Sequence, residues 1–271
     1  MKRHLLPALL WLAVPVVAMG IYPVVKGNPQ YLKYLATGLA LYVLFFSIVI
    51  HEVCHGLGAL LCGDTTAADA KRLTLNPVSH VDIFGSVILP IVLAVSGSSM
   101  LFGWARPVPF NPTRLRRHPR DQAALAMAGP LANFALSLVC FQLYLAAGLI
   151  YKFTSGSVPP MFLMTDPYAP IEVAAGPLQP LWAVVFQTLI AGILTNAVLG
   201  VFNLVPVPPL DGGWILKALL PPRISGFLTR MQLVAFILLI VAMKFNLLVV
   251  FFYPAFIILG LFQGLAGACL G

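Results

Sequence analysis

The chain has 271 residues, 60% of them hydrophobic and 9% charged, with a mean hydropathy of +0.96. Soluble globular domains carry about a quarter charged residues, so this composition excludes that class and indicates a polytopic membrane protein. The net charge of +8 is not a nucleic-acid footprint, because the basic residues border apolar segments as they do beside membrane spans.

The N-terminus, MKRHLLPALLWLAVPVVAMG, has the basic start and apolar run of a signal peptide. The run continues through IYPVV and so is long enough to span a bilayer, which favours a retained first helix. Further apolar segments fall at about 33–62, 83–104, 122–151, 181–205, 229–243 and 246–268, the last two separated by a tight turn at KFN, Lys244 to Asn246. The segment 83–104 is broken by Pro90, Gly97 and two serines. Irregular backbone survives at membrane depth only under cover of protein or water, so this segment reads as a full span or a re-entrant hairpin. Charge favours the hairpin. With the N-terminus cytoplasmic and 83–104 returning, twelve of the sixteen basic residues lie on the cytoplasmic side, leaving Lys26, Lys33, Lys152 and Lys244 outside; a crossing would split the cluster between Lys71 and Arg120. The expected fold is therefore all-α with about six transmembrane helices and both termini cytoplasmic. A basic cytoplasmic segment near 63–121 dips into the membrane, re-entrant or with some β-structure. The loop 152–180, rich in Pro and Gly, faces outward. No internal repeat is visible, and 1–271 reads as one membrane domain.

The four cysteines, Cys54, Cys62, Cys140 and Cys269, have neither the spacing of a thiolate metal knuckle nor that of a disulfide framework, and read as small apolar filler. Of the ionisable groups, only His51, Glu52, His55 and Asp211 lie deep in apolar surroundings. Ionisable residues at such depth are costly and mark function. HEVCH, His51 to His55, matches H-E-x-x-H. On a helix, residues four apart share a face, so both imidazoles reach one metal ion. Glu52, about 100° around the helix, reaches a water instead, which is the arrangement of zinc hydrolysis. A catalytic zinc takes three protein ligands, and Asp211 is the natural third. It follows a helix-breaking run, VPVPPL, and precedes Gly212 and Gly213, which leave its carboxylate free to turn inward. The alternative is a helix cap in an ordinary turn.

HEVCH followed at a distance by FNLVPVPPLDGG resembles the site-2 protease family of intramembrane zinc metalloproteases, in its minimal bacterial and archaeal branch. The segments RLTLNPVSHVDIFGS, FGWARPVPFNP and AMAGPLANF agree, and the likeness covers about residues 45–220. The resemblance implies one Zn2+ per chain, bound by His51, His55 and Asp211, with Glu52 as general base. It implies that Asn203 helps to hold substrate or the oxyanion, and it implies an active site toward the cytoplasmic side of the cell membrane. The substrates are then transmembrane proteins or peptides in the bilayer, not nucleic acid. No inserted PDZ-like module and no nucleotide-sensing module is seen, so substrate selection and regulation are not legible, nor is the oligomeric state. On the residues alone, Asn203 is equally a helix-packing amide, and Asn133, beside Gly129 and Pro130, reads more as packing than as a substrate contact. His80, in NPVSHVD, is a candidate fourth ligand or gate, although its place in a loop favours a solvated or capping role. A metal or proton transporter is the rival reading; against it, the polar set is not duplicated. A non-catalytic scaffold of the same fold is the other, and the intact Glu52 argues against it.

Overall fold

The computed structural model describes residues 2–95, 103–161, 169–245 and 249–271. Among these, regular structure is helical throughout, and the chain is a multi-pass membrane protein. Gly97 and its neighbouring serines, Asp166 in the 152–180 loop and Asn246 of the expected turn lie outside the described residues.

Helix α1 (Lys2–Val25) is followed by α2 (Pro29–Leu61). The start of α2 is fixed by Asn28, whose side chain accepts from the backbone N–H of Gln30 at 2.9 Å, with Pro29 in the first turn. The helix stops at Gly63, whose φ of +104° suits glycine. Next come the short α3 (Thr66–Asp69), a 3₁₀ turn Pro77–His80 and a π-helical turn Ile83–Ile88 that runs into α4 (Leu89–Val95). Helix α5 (Arg120–Ser155) packs against both α2 and α6 (Gln179–Asn203). Small residues permit the close approach: a Cβ on Gly58 would lie 3.1 Å from that of Ala128. Helices α7 (Asp211–Leu219), α8 (Pro222–Arg230), α9 (Gln232–Lys244) and α10 (Val249–Leu270) complete the order.

Helices α2, α5, α6 and α10 are each long and apolar enough to cross a membrane, and α8 with α9, bent by 61°, is a broken span or a re-entrant pair. The 83–104 stretch begins and ends at one level. Trp104 donates its N–H to Gly85 O at 3.1 Å, and Ser86 Oγ donates to Trp104 O at 2.8 Å. That geometry is the hairpin option, not the crossing. No strand forms in 63–95 or 103–121; prolines at 77, 107, 109 and 112 withhold the N–H donors a ladder needs. Residues 103–111 instead carry no regular secondary structure.

The ends of the chain differ from the six-span scheme. Trp11 in α1 packs against Tyr42 and Phe46 midway along α2 and donates to Leu75 O at 2.7 Å, so the start of α1 points to the end of the bundle where α2 finishes and α5 begins. Lys152, at the far end of α5, donates to Leu270 O at 2.7 Å. Phe252 stacks on Phe202, near the C-terminus of α6. Helix α10 therefore runs in the same sense as α5, and its C-terminal end lies opposite the end to which the start of α1 points. The reason is length. Thirteen residues of α9 reach about 20 Å at 1.5 Å per residue, short of a hydrocarbon core of about 30 Å, so α9 stays beside the C-terminus of α6 with Phe236 and Leu239 against Phe202 and Val205.

Candidate metal centre

His51 and His55 project from one face of α2, about two turns before it ends. Their Nε2 atoms lie 3.0 Å apart. Asp211 opens α7 and turns its carboxylate toward them, Oδ2 to His51 Nε2 at 3.1 Å and Oδ1 to His55 Nε2 at 3.2 Å. Asp211 is not the cap of α7: Leu210 occupies that position. The two glycines behind it are required for packing. A Cβ on Gly212 would strike the carbonyls of Leu204 and Val205, and one on Gly213 would lie 2.5 Å from Pro208 N. The proline-rich run thus folds back over the start of α7 and presents Asp211 to α2.

The three groups fit a metal by their hydrogen bonding. His55 Nδ1 lies 2.7 Å from Leu125 O. A carbonyl oxygen only accepts, so Nδ1 carries a proton and, in the neutral ring that binds a metal, Nε2 presents a lone pair. His51 Nδ1 lies 2.6 Å from Asn133 Oδ1, and its Nε2 also faces the carboxylate. Asp211 Oδ2 is buried and finds no hydrogen-bond donor among the described residues, although His51 Nε2 is its neighbour. Two imidazole nitrogens and a carboxylate converging this closely, with one carboxylate oxygen buried and unpartnered, suit a cation. Four ligands at the 2.0–2.2 Å of zinc sites in a tetrahedron stand about 3.3 Å apart, close to the spacings here. Gly129 of α5 leaves the room: a Cβ there would lie 2.5 Å from His55 Nε2 and 2.6 Å from His51 Nε2.

Glu52 lies beside this cluster but not in it. Its Oε2 accepts from Val108 N at 2.9 Å, which ties it to the non-helical stretch 103–111. His51, Glu52, Asn203 and Asp211 share the wall of a cavity of about 370 Å³, with Trp104 and Phe236 among its apolar lining. Asn203 donates one N–H to Leu199 O at 3.0 Å in its own helix.

The profile of family M50 peptidases matches residues 39–245. The chain belongs to peptidase family M50. A Bacillus subtilis (strain 168) protein named "Putative zinc metalloprotease YwhC" is 33% identical over 199 residues, which is 73% of this chain and 76% of that one. No solved structure matches. The protein is accordingly an M50 zinc metalloprotease built on membrane-spanning helices, and His51, His55 and Asp211 are the one His/Cys/Asp/Glu group among its described residues that could hold the ion.

The remaining residues singled out from the sequence lie elsewhere. Asn133 is fully buried and touches His51, not the cavity. His80 is also fully buried rather than solvated; its Nε2 lies 2.8 Å from Thr74 O, and its own carbonyl accepts from Arg106 N at 2.8 Å. Burial pushes its imidazole below the ordinary value, against that hydrogen bond. It belongs to the layer that braces 103–111. Sequence reasoning missed Ser47 and Asn196, which are fully buried and linked through Asn133 to His51 of the candidate centre. Their signal in the sequence is a polar side chain inside each of the apolar runs FFSIVI and ILTNAV.

Proposed function

We propose that this protein hydrolyses peptide bonds within or near transmembrane helices of membrane-protein substrates, at the cytoplasmic side of the cell membrane. The observation that carries the reading is the convergence of two imidazole Nε2 atoms and one carboxylate within 3.2 Å, on the wall of a cavity between apolar helices. His51, His55 and Asp211 would hold Zn2+. When bound, zinc supplies the Lewis acidity that makes water a nucleophile near neutral pH and polarises a carbonyl.

The chain's own residues supply the rest. Glu52 has one carboxylate oxygen occupied by Val108 N–H, which leaves the other to accept a proton from the attacking water and pass it to the departing amine. Asn203 has a second amide N–H beyond the one given to Leu199 O, suited to a substrate oxygen as charge develops on it. Trp104 and Phe236 limit water in the cavity. The non-helical stretch 103–111 lies beside Glu52 and brings Trp104 to the cavity wall, so an unwound substrate would pass over it. Arg106, Arg114, Arg116, Arg117 and Arg120 cluster at the site's end of the bundle, which supports the cytoplasmic orientation.

The test is zinc content by mass spectrometry on detergent-purified wild type, Asp211→Ala and a His51→Ala/His55→Ala double variant, followed by cleavage of reconstituted single-span substrates. One zinc per chain, lost in the double variant and weakened without Asp211, with cleavage by wild type alone, is expected. Zinc retained by the double variant would end this assignment. Metal uptake into vesicles without cleavage would favour a transporter.

A further inference from the structure

Behind His51 runs a line of buried polar side chains that ties three helices together. Ser47 Oγ donates to Val43 O at 2.8 Å within α2. Asn196 Nδ2, from α6, donates to Ser47 Oγ at 2.9 Å and to Gly192 O at 2.8 Å. Asn133 Nδ2, from α5, donates to Asn196 Oδ1 at 2.8 Å. Asn133 Oδ1 then faces His51 Nδ1 at 2.6 Å. Ser47, Asn133 and Asn196 are all fully buried, so water does not substitute for any of these partners.

The direction of every bond in this line is determined. It starts on two backbone carbonyls, Val43 O and Gly192 O, which only accept. Gly192 O obliges Asn196 to present Nδ2 to it, and Asn196 Oδ1 therefore points at Asn133. That oxygen obliges Asn133 to present its own Nδ2, and Asn133 Oδ1 is left for His51. An amide oxygen accepts only, so His51 must carry its proton on Nδ1. Reversing either amide would set two donors or two acceptors against each other in an apolar interior, at a cost comparable to a lost buried hydrogen bond. His55 reaches the same tautomer by one direct bond to Leu125 O; His51 reaches it through two side chains and two helices.

We infer that Asn196, through Asn133, is a positioning residue for the metal centre: it locks the Asn133 amide in the orientation that holds His51 as its Nδ1–H tautomer, with the Nε2 lone pair aimed at the metal. The inference rests on the zinc reading above. Asn196 touches neither metal ligand nor cavity, so its effect would be transmitted. Without it, the Asn133 amide is free to rotate and offer N–H to His51, which favours the tautomer with a proton on Nε2, where the metal would sit. Partners of this kind are worth about 10–100-fold in metal affinity at other sites.

Two readouts on the full-length protein in detergent test this. The first is the pair of 15N shifts of His51 in metal-free protein, which report the tautomer without any metal or activity. The second is zinc affinity by chelator competition. Wild type should show His51 protonated on Nδ1. Asn196→Ala should show a mixture of tautomers and zinc bound about tenfold more weakly. Asn133→Leu should bind at least as weakly, while Asn133→Asp, which keeps an acceptor at Nδ1 although its other oxygen opposes Asn196 Oδ1, should bind zinc more tightly than Asn133→Leu. Ser47→Ala should fall by less than Asn196→Ala, because Gly192 O still orients the amide. Should Asn196→Ala not fold, as judged by its melting transition, the contrast between Asn133→Leu and Asn133→Asp decides. Wild-type His51 protonated on Nε2, or Asn196→Ala and Asn133→Leu with unchanged 15N shifts and zinc affinity within twofold of wild type, would overturn the inference. A wild type with His51 fixed as the Nδ1–H tautomer that binds no zinc would uphold the relay and sink the metal reading, so the two failures are distinct.

Discussion

Gly129→Ala adds one methyl group at the most sensitive point of the site. The new Cβ would lie 2.5 Å from His55 Nε2 and 2.6 Å from both Nε2 and Cε1 of His51, where ordinary contact begins at 3.4 Å. One of the partners must therefore yield by about 0.8–0.9 Å, an overpacking that typically costs about 1–3 kcal/mol. Neither ring has slack. His51 is held at 2.6 Å by Asn133 and His55 at 2.7 Å by Leu125 O, and a shift of that size stretches either bond beyond hydrogen-bonding range. Helix α5 cannot retreat freely, because α6 backs it closely: a Cβ on Gly192 would lie 2.7 Å from Cys140 Sγ, and one on Gly200 2.7 Å from the Phe134 ring. A zinc–nitrogen bond tolerates a few tenths of an ångström around about 2.0–2.1 Å, so at least one ligand is lost and affinity should fall more than tenfold. The assay is zinc per chain after dialysis against a weak chelator, with the melting temperature read alongside. Gly38→Ala is the control: it too lies in a long helix, but its Cβ meets nothing within 4 Å, so it should keep its zinc and gain up to about 1 kcal/mol of stability from the better helix former. A Gly129→Ala protein holding one zinc per chain at wild-type affinity would refute the reasoning, because the space the glycine leaves would then not be the metal's.

Glu52→Gln should keep zinc at one per chain and lose about 10²–10⁴-fold in cleavage, as read by metal analysis and a single-turnover assay on the same preparation. Gly212→Ala should weaken zinc without touching a ligand, because its Cβ would meet the carbonyls of Leu204 and Val205 and push Asp211 away; unchanged affinity would show that α7 can shift freely. Asp64 is fully buried, and although burial by itself raises its carboxyl, hydrogen bonds from Thr66 and from Asn111 N–H outweigh that and hold it below the ordinary carboxylate range. A depressed pKa contributes stability that is present above the unfolded value of about 3.9 and lost as pH falls through the folded one. His80, also depressed, acts in the same sense below about 6.5. Limited proteolysis of the 63–82 and 103–111 layer should therefore accelerate from about pH 6 downward and again below pH 4, and Asp64→Asn should abolish the second step.

The candidate metal ligands were legible because of where they stand. Two histidines and a carboxylate set deep in apolar runs have few explanations other than a cation, and the helical period places His51 and His55 on one face before any coordinates are known. The same economy hid what surrounds them. Ser47, Asn133 and Asn196 carry no charge, so they read as ordinary interhelical amides and hydroxyls; only the crossing of α2, α5 and α6 brings them into line, and sequence patterns do not encode which faces of three helices meet. Loop residues misled for a related reason. Asp64 and His80 lie outside the spans, where solvation is the default, but 63–82 folds under 103–111 and both are fully buried. The run of α10 was hidden by hydropathy itself, which records that a segment is apolar but not whether the preceding one crossed. Helix length separates the two cases: α9 has 13 residues and α10 has 22, about 20 and 33 Å at 1.5 Å per residue. Only the second is long enough to cross, and α9 is left at the mouth of the cavity, where Phe236 lines it and the bend after Arg230 is the break in its path. The element that does not span is therefore the one beside the metal centre, and its shortness, a property already written in the sequence, keeps it there.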